Sequence, residues 1–226
     1  MDALGFKDWI LKEKSSEKGA KFLERAINSG FNLKSEYKKR YQTYVISDTL
    51  IIVSSYHGLS DHCFLSMISS YLMKSFLTIG LPLRGAISYG ECIIEASKNR
   101  LMVLGEGIVE AATNESLLDC FCIVQSLSSM KDFSEQVQKE GRKFEVEGKK
   151  YDVNMFFSSQ AVKIKGRKEQ IDVGVCKWVH PEILFQLGDT LNNHLKRINP
   201  GDISLDTLKA FYRKFVNSKA MLDTIM

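Results

Sequence analysis

No apolar run in this chain approaches the ~20 residues that a helix needs to cross a bilayer, so a helical membrane span is excluded and no membrane partner is implied. The first residues, with Asp2 and the pair Lys7-Asp8, lack the apolar centre of a secretory signal. Five cysteines (Cys63, Cys92, Cys120, Cys122 and Cys176) include no Cys-x-x-Cys pair. Their odd, scattered set excludes a disulfide framework and argues for a reducing cytoplasm. His57, His62 and Cys63 lie close together, but no second thiol pair follows at ligand spacing, which speaks against zinc. Internal repeats, low-complexity tracts and linkers are also missing, so residues 1–226 read as one domain. The formal net charge is only +4. Lys38-Lys39-Arg40 and the stretch from Lys163 to Lys168 are basic but not interleaved with stacking aromatics. They read as solvated faces rather than as a nucleic-acid interface. The run Gly85-Ala86-Ile87-Ser88-Tyr89-Gly90 is not a Gly-x-Ser-x-Gly elbow, which removes a serine hydrolase built on Ser88.

What is present is a globular domain of ample size, able to bury a core without disulfides or metal staples. Residues from about Lys7 to Asn28 have helical periodicity, with Phe22, Leu23, Ala26 and Ile27 on one face and Ser29-Gly30 closing the helix. Glu36–Tyr56 supplies a strand pair that turns near Asp48. A helix follows from about Ser60 to Thr78, its stripe formed by Phe64, Met67, Ile68, Tyr71, Leu72 and Phe76 and its end marked by Gly80-Leu81-Pro82. Strands are expected at about Leu83–Ile94 and Arg100–Leu104, then a helix beginning near Gly107. Cys120–Val124 reads as a strand and Ser129–Gly141 as a charged helix. Tyr151 to Trp178 alternates as strands do around Lys165-Gly166-Arg167, and Ser204 to Met226 has helical spacing. Strand pairs alternating with long helices predict an α+β fold, a sheet with helices packed on it.

Two aspartates carry the functional signal. Asp2 stands in Asp2-Ala3-Leu4-Gly5-Phe6, and Asp48 is the only charge in the β-prone run from Tyr44 to Val53. A carboxylate is costly inside a sheet unless a cation or hydrogen-bond donors satisfy it. Paired carboxylates on neighbouring strands suit Mg²⁺ or Mn²⁺ held against a triphosphate, since hard cations want oxygen ligands. Ser47-Asp48 is also ordinary turn chemistry, so Asp48 alone decides nothing. Further on, Leu83-Arg84-Gly85-Ala86-Ile87-Ser88-Tyr89-Gly90-Glu91 reads as a strand ending in a glycine turn. Met102-Val103-Leu104-Gly105-Glu106-Gly107-Ile108-Val109-Glu110-Ala111-Ala112 passes from strand through glycines into a helix.

These four motifs, in this order over roughly residues 1–120, resemble the catalytic domain of class III nucleotide cyclases. The layout is similar to that of the stand-alone bacterial pyrimidine cyclases (uridylate or cytidylate cyclases) of the Pycsar anti-phage system. The resemblance implies a ferredoxin-like antiparallel sheet with helices packed on it. It also implies conversion of UTP or CTP to a 3′,5′-cyclic monophosphate second messenger, with two Mn²⁺ or Mg²⁺ ions per site and a homodimer with shared sites. Carried over by motif, Asp2 and Asp48 look like the metal-binding pair, and Gly5 and Phe6 like the turn whose backbone N–H groups face the triphosphate. Tyr44 falls where cyclases place a base-reading side chain, with Met102 as a second candidate for base contact. The family's ribose-orienting asparagine and transition-state arginine align with Val109 and Thr113, which cannot replace them. That leaves Arg84 as the motif cation nearest to the task of offsetting phosphate charge; its plainer reading is a strand-edge arginine in a surface ion pair. For Tyr44 the plainer reading is a buried sheet aromatic. The alternative function is a catalytically degenerate cyclase-like module that binds a nucleotide or a partner.

Overall fold

Residues 41–54 are rich in β-branched and aromatic side chains, and they pair with each other. Strands β2 (Tyr41–Ile46) and β3 (Thr49–Ser54) form an antiparallel hairpin in which Ile46 faces Thr49 and Tyr41 faces Ser54. Only Ser47 and Asp48 separate the strands. Ser47 takes a positive φ of 57° and Asp48 does not, the pattern of a II′ turn, whose twist matches that of the strands it joins. The computed structural model describes residues 1–3, 16–30, 39–78, 81–97, 100–146, 149–166 and 170–176, with positions 213, 214, 217 and 218.

Strand β1 (Asp2–Ala3) lies between β3 and β4 (Leu83–Ile87) and is antiparallel to both. Asp2 is opposite Thr49 on one side and Arg84 on the other; Ala3 is opposite Leu83. Helix α1 (Ser16–Gly30) separates β1 from β2 in the chain, and α2 (Leu59–Thr78) separates β3 from β4. The order is therefore strand, helix, strand, strand, helix, strand, with the four strands side by side as β4-β1-β3-β2. Next come the hairpin β5 (Ile93–Ser97) and β6 (Arg100–Leu104), helix α3 (Glu106–Leu117), strand β7 (Ile123–Gln125) and helix α4 (Leu127–Glu140). A second hairpin, β8 (Lys143–Val146) with β9 (Lys149–Asp152), leads to β10 (Phe157–Lys163) and β11 (Gln170–Cys176). The whole sheet reads β10-β11-β7-β4-β1-β3-β2. The protein is α+β, as expected. Its sheet is mixed rather than wholly antiparallel, because β7 joins β4 in parallel, with Gly85 opposite Ile123. A parallel pair needs a crossover connection, and residues 88–122, with α3, provide it.

The core lies between the sheet and the α1–α2 pair. Leu50, Leu83 and Ile87 from the strands meet Phe64, Ile68, Leu72, Met73 and Phe76 of α2, with Leu23 of α1 closing the layer. The stripe expected on α2 is thus mostly core, but its arc is rotated. Ser66, Ser69 and Met73 are buried while Tyr71 is 51% exposed. Small serines let the helix approach its neighbours closely, and Ser66 Oγ donates to the Phe156 carbonyl at 2.7 Å. Helix α3 packs on the opposite face of β4, where Arg84 points.

Two expectations shift. The strand foreseen over 83–94 stops at Ile87, and β5 begins at Ile93. The β8–β9 hairpin was not foreseen, although Glu147-Gly148 stands between its strands. The first helix is described from Ser16, so its start near Lys7 lies outside the described residues, as does most of the helix expected over 204–226. Of the latter, Arg213 pairs with Asp119 (Nε–Oδ2 2.6 Å) and Ser218 Oγ accepts from Phe121 N–H at 2.6 Å, tying it to the entry of β7. Among the described residues no helix is long and apolar enough to cross a membrane.

Gly85 faces Met1 so closely that a Cβ at this position would stand 2.5 Å from Met1 Cγ and 3.0 Å from Met1 Cα. Gly85→Val should therefore push β1 away from β4 and cost about 1–3 kcal/mol. The expected result is a lower urea midpoint at unchanged m-value.

Candidate functional site

The register of β1 brings the two aspartates together. Asp2 is opposite Thr49, and Asp48 is the residue before Thr49, at the tip of the β2–β3 hairpin. They thus sit on neighbouring strands at the same end of the sheet. Asp48 is half-buried, and its carboxylate has no hydrogen bond or ion pair to the described residues. Gly5 and Phe6 lie outside the described residues.

Thr49 and Arg84 are each opposite Asp2, from the strands on its two sides, so by register Thr49 and Arg84 share one face of the sheet. Tyr44 lies on that face too, opposite Ile51. Asp48 lies in the turn that joins β2 to β3 and has no partner in their register, so it is not on the strand that carries Tyr44, and counting positions along one strand does not relate the two side chains. Tyr44 is half-buried rather than a core aromatic, and its hydroxyl donates to Gln42 Oε1 at 2.6 Å. Met102 is placed elsewhere, opposite Glu95 in the separate β5–β6 hairpin.

Arg84 is neither at a strand edge nor at the surface. It is 7% exposed in the middle of the sheet, its Nε ion-paired to Glu115 of α3 and its Nη1 donating to the Leu118 carbonyl at 3.2 Å. Its positive charge is already met by the half-buried Glu115 carboxylate, so what it does in the fold is fasten α3 to β4. Val109 is 66% exposed, and Thr113 turns its hydroxyl back to the Val109 carbonyl at 2.8 Å. Ser88 Oγ donates to the Gly107 carbonyl.

Two carboxylates that sequence reasoning passed over organise the other end of β3. Asp61, buried in the first turn of α2, accepts from Arg40 Nη2 (3.2 Å) and Ser54 Oγ (3.1 Å) and lies 3.5 Å from the Tyr41 hydroxyl. Burial, then the Asp61 charge, pushes the Tyr41 hydroxyl pKa up. Asp132 of α4 holds both histidines: His57 Nε2 at 2.9 Å and His62 Nε2 at 2.5 Å, with Gln136 Nε2 at 3.3 Å. His62 Nδ1 is buried and has no hydrogen-bond partner among the described residues. His57 stacks on Tyr89 at a centroid distance of 4.8 Å. Cys63 instead faces Leu59 and Val153, and burial with the nearby Glu140 charge raises its thiol to about 12. The sequence signal for the Asp132 cluster was its i, i+4 spacing with Gln136, which places both on one helix face.

These clusters flank a cavity of about 890 Å³ lined by Thr49 to Tyr56, by Ala86, Ile87 and Ser88, and by residues of α2 and α3. No protein-family model matches this chain, and no curated protein matches it either. The functional reading therefore rests on its own residues.

Burial alone would raise the Asp132 pKa, but the hydrogen bonds from His62, His57 and Gln136 outweigh it and hold the carboxyl below its ordinary value. A depressed carboxylate contributes stability above its unfolded pKa, about 3.9, and loses it as pH falls through the folded value. Asp132→Asn should therefore lower Tm at pH 7, and the gap to wild type should shrink on acidification below about pH 4. Thermal unfolding followed by circular dichroism from pH 2.5 to 7 checks both parts.

Proposed function

We propose that the protein is a class III-type nucleotide cyclase that converts a pyrimidine nucleoside triphosphate, UTP before CTP, to the 3′,5′-cyclic monophosphate and pyrophosphate. The observation that carries this reading is the β1–β3 register, which sets Asp2 opposite the residue next to Asp48. The strand–helix–strand–strand–helix–strand order with strands arranged β4-β1-β3-β2 supports it, since the ferredoxin-like arrangement has this chain order. The resemblance further assigns the product to anti-phage signalling and the protein to the cytoplasm, in keeping with five free cysteines.

Asp2 and Asp48 would hold the divalent ions. Among the described residues no group of three or more Asp, Glu, His or Cys converges on one point. Two carboxylates nevertheless suit Mg²⁺ or Mn²⁺, which take one or two protein carboxylates and complete their shells with water and phosphate oxygens. Such an ion, when bound, lowers the pKa of the ribose 3′-hydroxyl and offsets the triphosphate charge. In the reaction the 3′-oxygen gives up its proton to water and forms a bond to the α-phosphorus. The bond from that phosphorus to the bridging oxygen breaks, and pyrophosphate leaves with the electron pair. Tyr44 offers the base a ring face and a hydroxyl, and its bulk suits a single-ring base. Arg84, paired with Glu115, acts by fixing α3 against the strand that borders Asp2.

A homodimer with shared sites completes the proposal. Exposed apolar side chains on β2 (Val45, Ile46), on the β5–β6 hairpin (Ile93, Leu101, Leu104) and on α3 (Val109) supply surface for a second copy. The second reading is a degenerate nucleotide-binding module. The neutralised Arg84 and the exposed Val109 and Thr113 favour it.

Purified protein incubated with Mn²⁺ and each of UTP, CTP, ATP and GTP should yield cyclic UMP as the main product by mass spectrometry. Product from none of the four would leave the degenerate module standing. Asp48→Asn, which keeps the shape of the turn residue, should lower turnover at least ~100-fold while Tm changes little. Tyr44→Ala should change the ratio of rates among the four substrates; an equal fall for all would make Tyr44 structural.

A further inference from the structure

Gln42 and Tyr44 stand two positions apart on β2, so their side chains leave the same face of the sheet, beside Val53 and Ile51 of β3. Those two neighbours carry no polar side-chain atoms. Among the described residues the Tyr44 hydroxyl has one hydrogen bond, to Gln42 Oε1 at 2.6 Å. A phenol has a single proton and two lone pairs, and a carboxamide oxygen can only accept. Gln42 therefore takes the Tyr44 proton, and the phenol oxygen is left with lone pairs to offer. Gln42 is exposed and Tyr44 half-buried, so on the bare face water competes and the bond is worth little. A base laid over the pair would exclude that water and hold the hydroxyl in one orientation.

We infer that Gln42 is a positioning residue that sets the choice between uracil and cytosine, by fixing the polarity of the Tyr44 hydroxyl. The inference rests on the cyclase reading above, in which Tyr44 meets the base. Uracil and cytosine share ring size, shape and the acceptor O2, so neither bulk nor stacking separates them. They differ in hydrogen bonding at ring position 3, where uracil carries N–H and cytosine a lone pair, and at position 4, where an oxygen replaces an amino group. A hydroxyl free to turn accepts from uracil N3–H as readily as it donates to cytosine N3, and so cannot choose. With its proton committed to Gln42, the Tyr44 oxygen only accepts. It is then matched by uracil N3–H and opposed by the cytosine lone pair, and a polar atom left facing another of its own kind is what gives hydrogen-bonding sites their discrimination. Gln42 needs no contact with the base; it acts through Tyr44.

The test compares wild type with Gln42→Leu, Gln42→Glu, Tyr44→Phe and the Gln42→Leu/Tyr44→Phe double variant. Two ratios are read for each protein. One is kcat/KM for UTP over CTP with Mn²⁺. The other is the Kd of cyclic CMP over that of cyclic UMP by titration calorimetry, which needs no turnover and so reads a degenerate module equally well. Gln42→Leu should lower the preference for uracil about tenfold. Gln42→Glu, which still accepts the Tyr44 proton, should keep it. In the Tyr44→Phe background Gln42→Leu should change the ratios no further, because its effect passes through the hydroxyl. Uracil and cytosine compounds weakened by one common factor in Gln42→Leu would make Gln42 a strand residue only and overturn the inference. The same shift with and without the hydroxyl, or a wild-type preference for cytosine, would also overturn it. Wild-type protein that makes no cyclic product and binds neither cyclic nucleotide would overturn the cyclase reading itself, and this inference with it.

Discussion

The pair of backbone hydrogen bonds between Met1 and Leu50 is the contact on which the first half of the molecule depends. It sets β1 between β3 and β4, and only that placement brings Asp2 beside the hairpin tip that carries Asp48. A slip of one residue would send every side chain of β1 to the opposite face. With so short a strand the register is guarded by what surrounds it. Gly85 leaves just enough room for Met1, and the II′ turn at Ser47-Asp48 fixes where Thr49 begins.

Buried and half-buried carboxylates do the equivalent work elsewhere. Glu115 meets Arg84 between α3 and β4, and Asp61 joins Arg40 to the start of α2. Asp132 draws His57 of the β3–α2 connection and His62 of α2 onto α4, and Asp119 receives Arg213 from the C-terminal helical positions. Each links segments far apart in sequence. Such pairs add little net stability against apolar replacements, yet loss of one partner leaves the other charge buried and uncompensated. Their number explains why a chain of near-balanced charge has so many ionised groups below its surface.

Local chemistry made the β2–β3 hairpin, α2, α3 and α4 legible, because β-branched runs, glycines and helical apolar spacing act over a few residues. The rotation of α2 was not legible: serines are read as polar, whereas Ser66 and Ser69 are buried by satisfying or sheltering their hydroxyls inside. The parallel pairing of β4 with β7 is a long-range choice that no local pattern announces. At the candidate site, the strand register sets Asp2 opposite the residue after Asp48 and places Tyr44 two pairs further along the β2–β3 hairpin, while Met102 lies on a separate hairpin. Arg84 looked like an available cation because its partner Glu115 is 31 positions away, and pairing of that kind leaves no trace in spacing.

The crossover between β4 and β7 also bears on how the chain is made. As it leaves the ribosome, residues 1–87 hold what the first four sheet strands and two helices require. The outer edge of β4 stays open until residues 123–125 have followed, and β7 in turn gains β11 only after residue 176. Leu83 and Ile87 are sheltered by α2 throughout that interval, but their backbone is not. Synthesis therefore exposes a hydrogen-bonding edge at the centre of the future sheet, and the interval lasts seconds at ordinary elongation rates of about 5–20 residues per second.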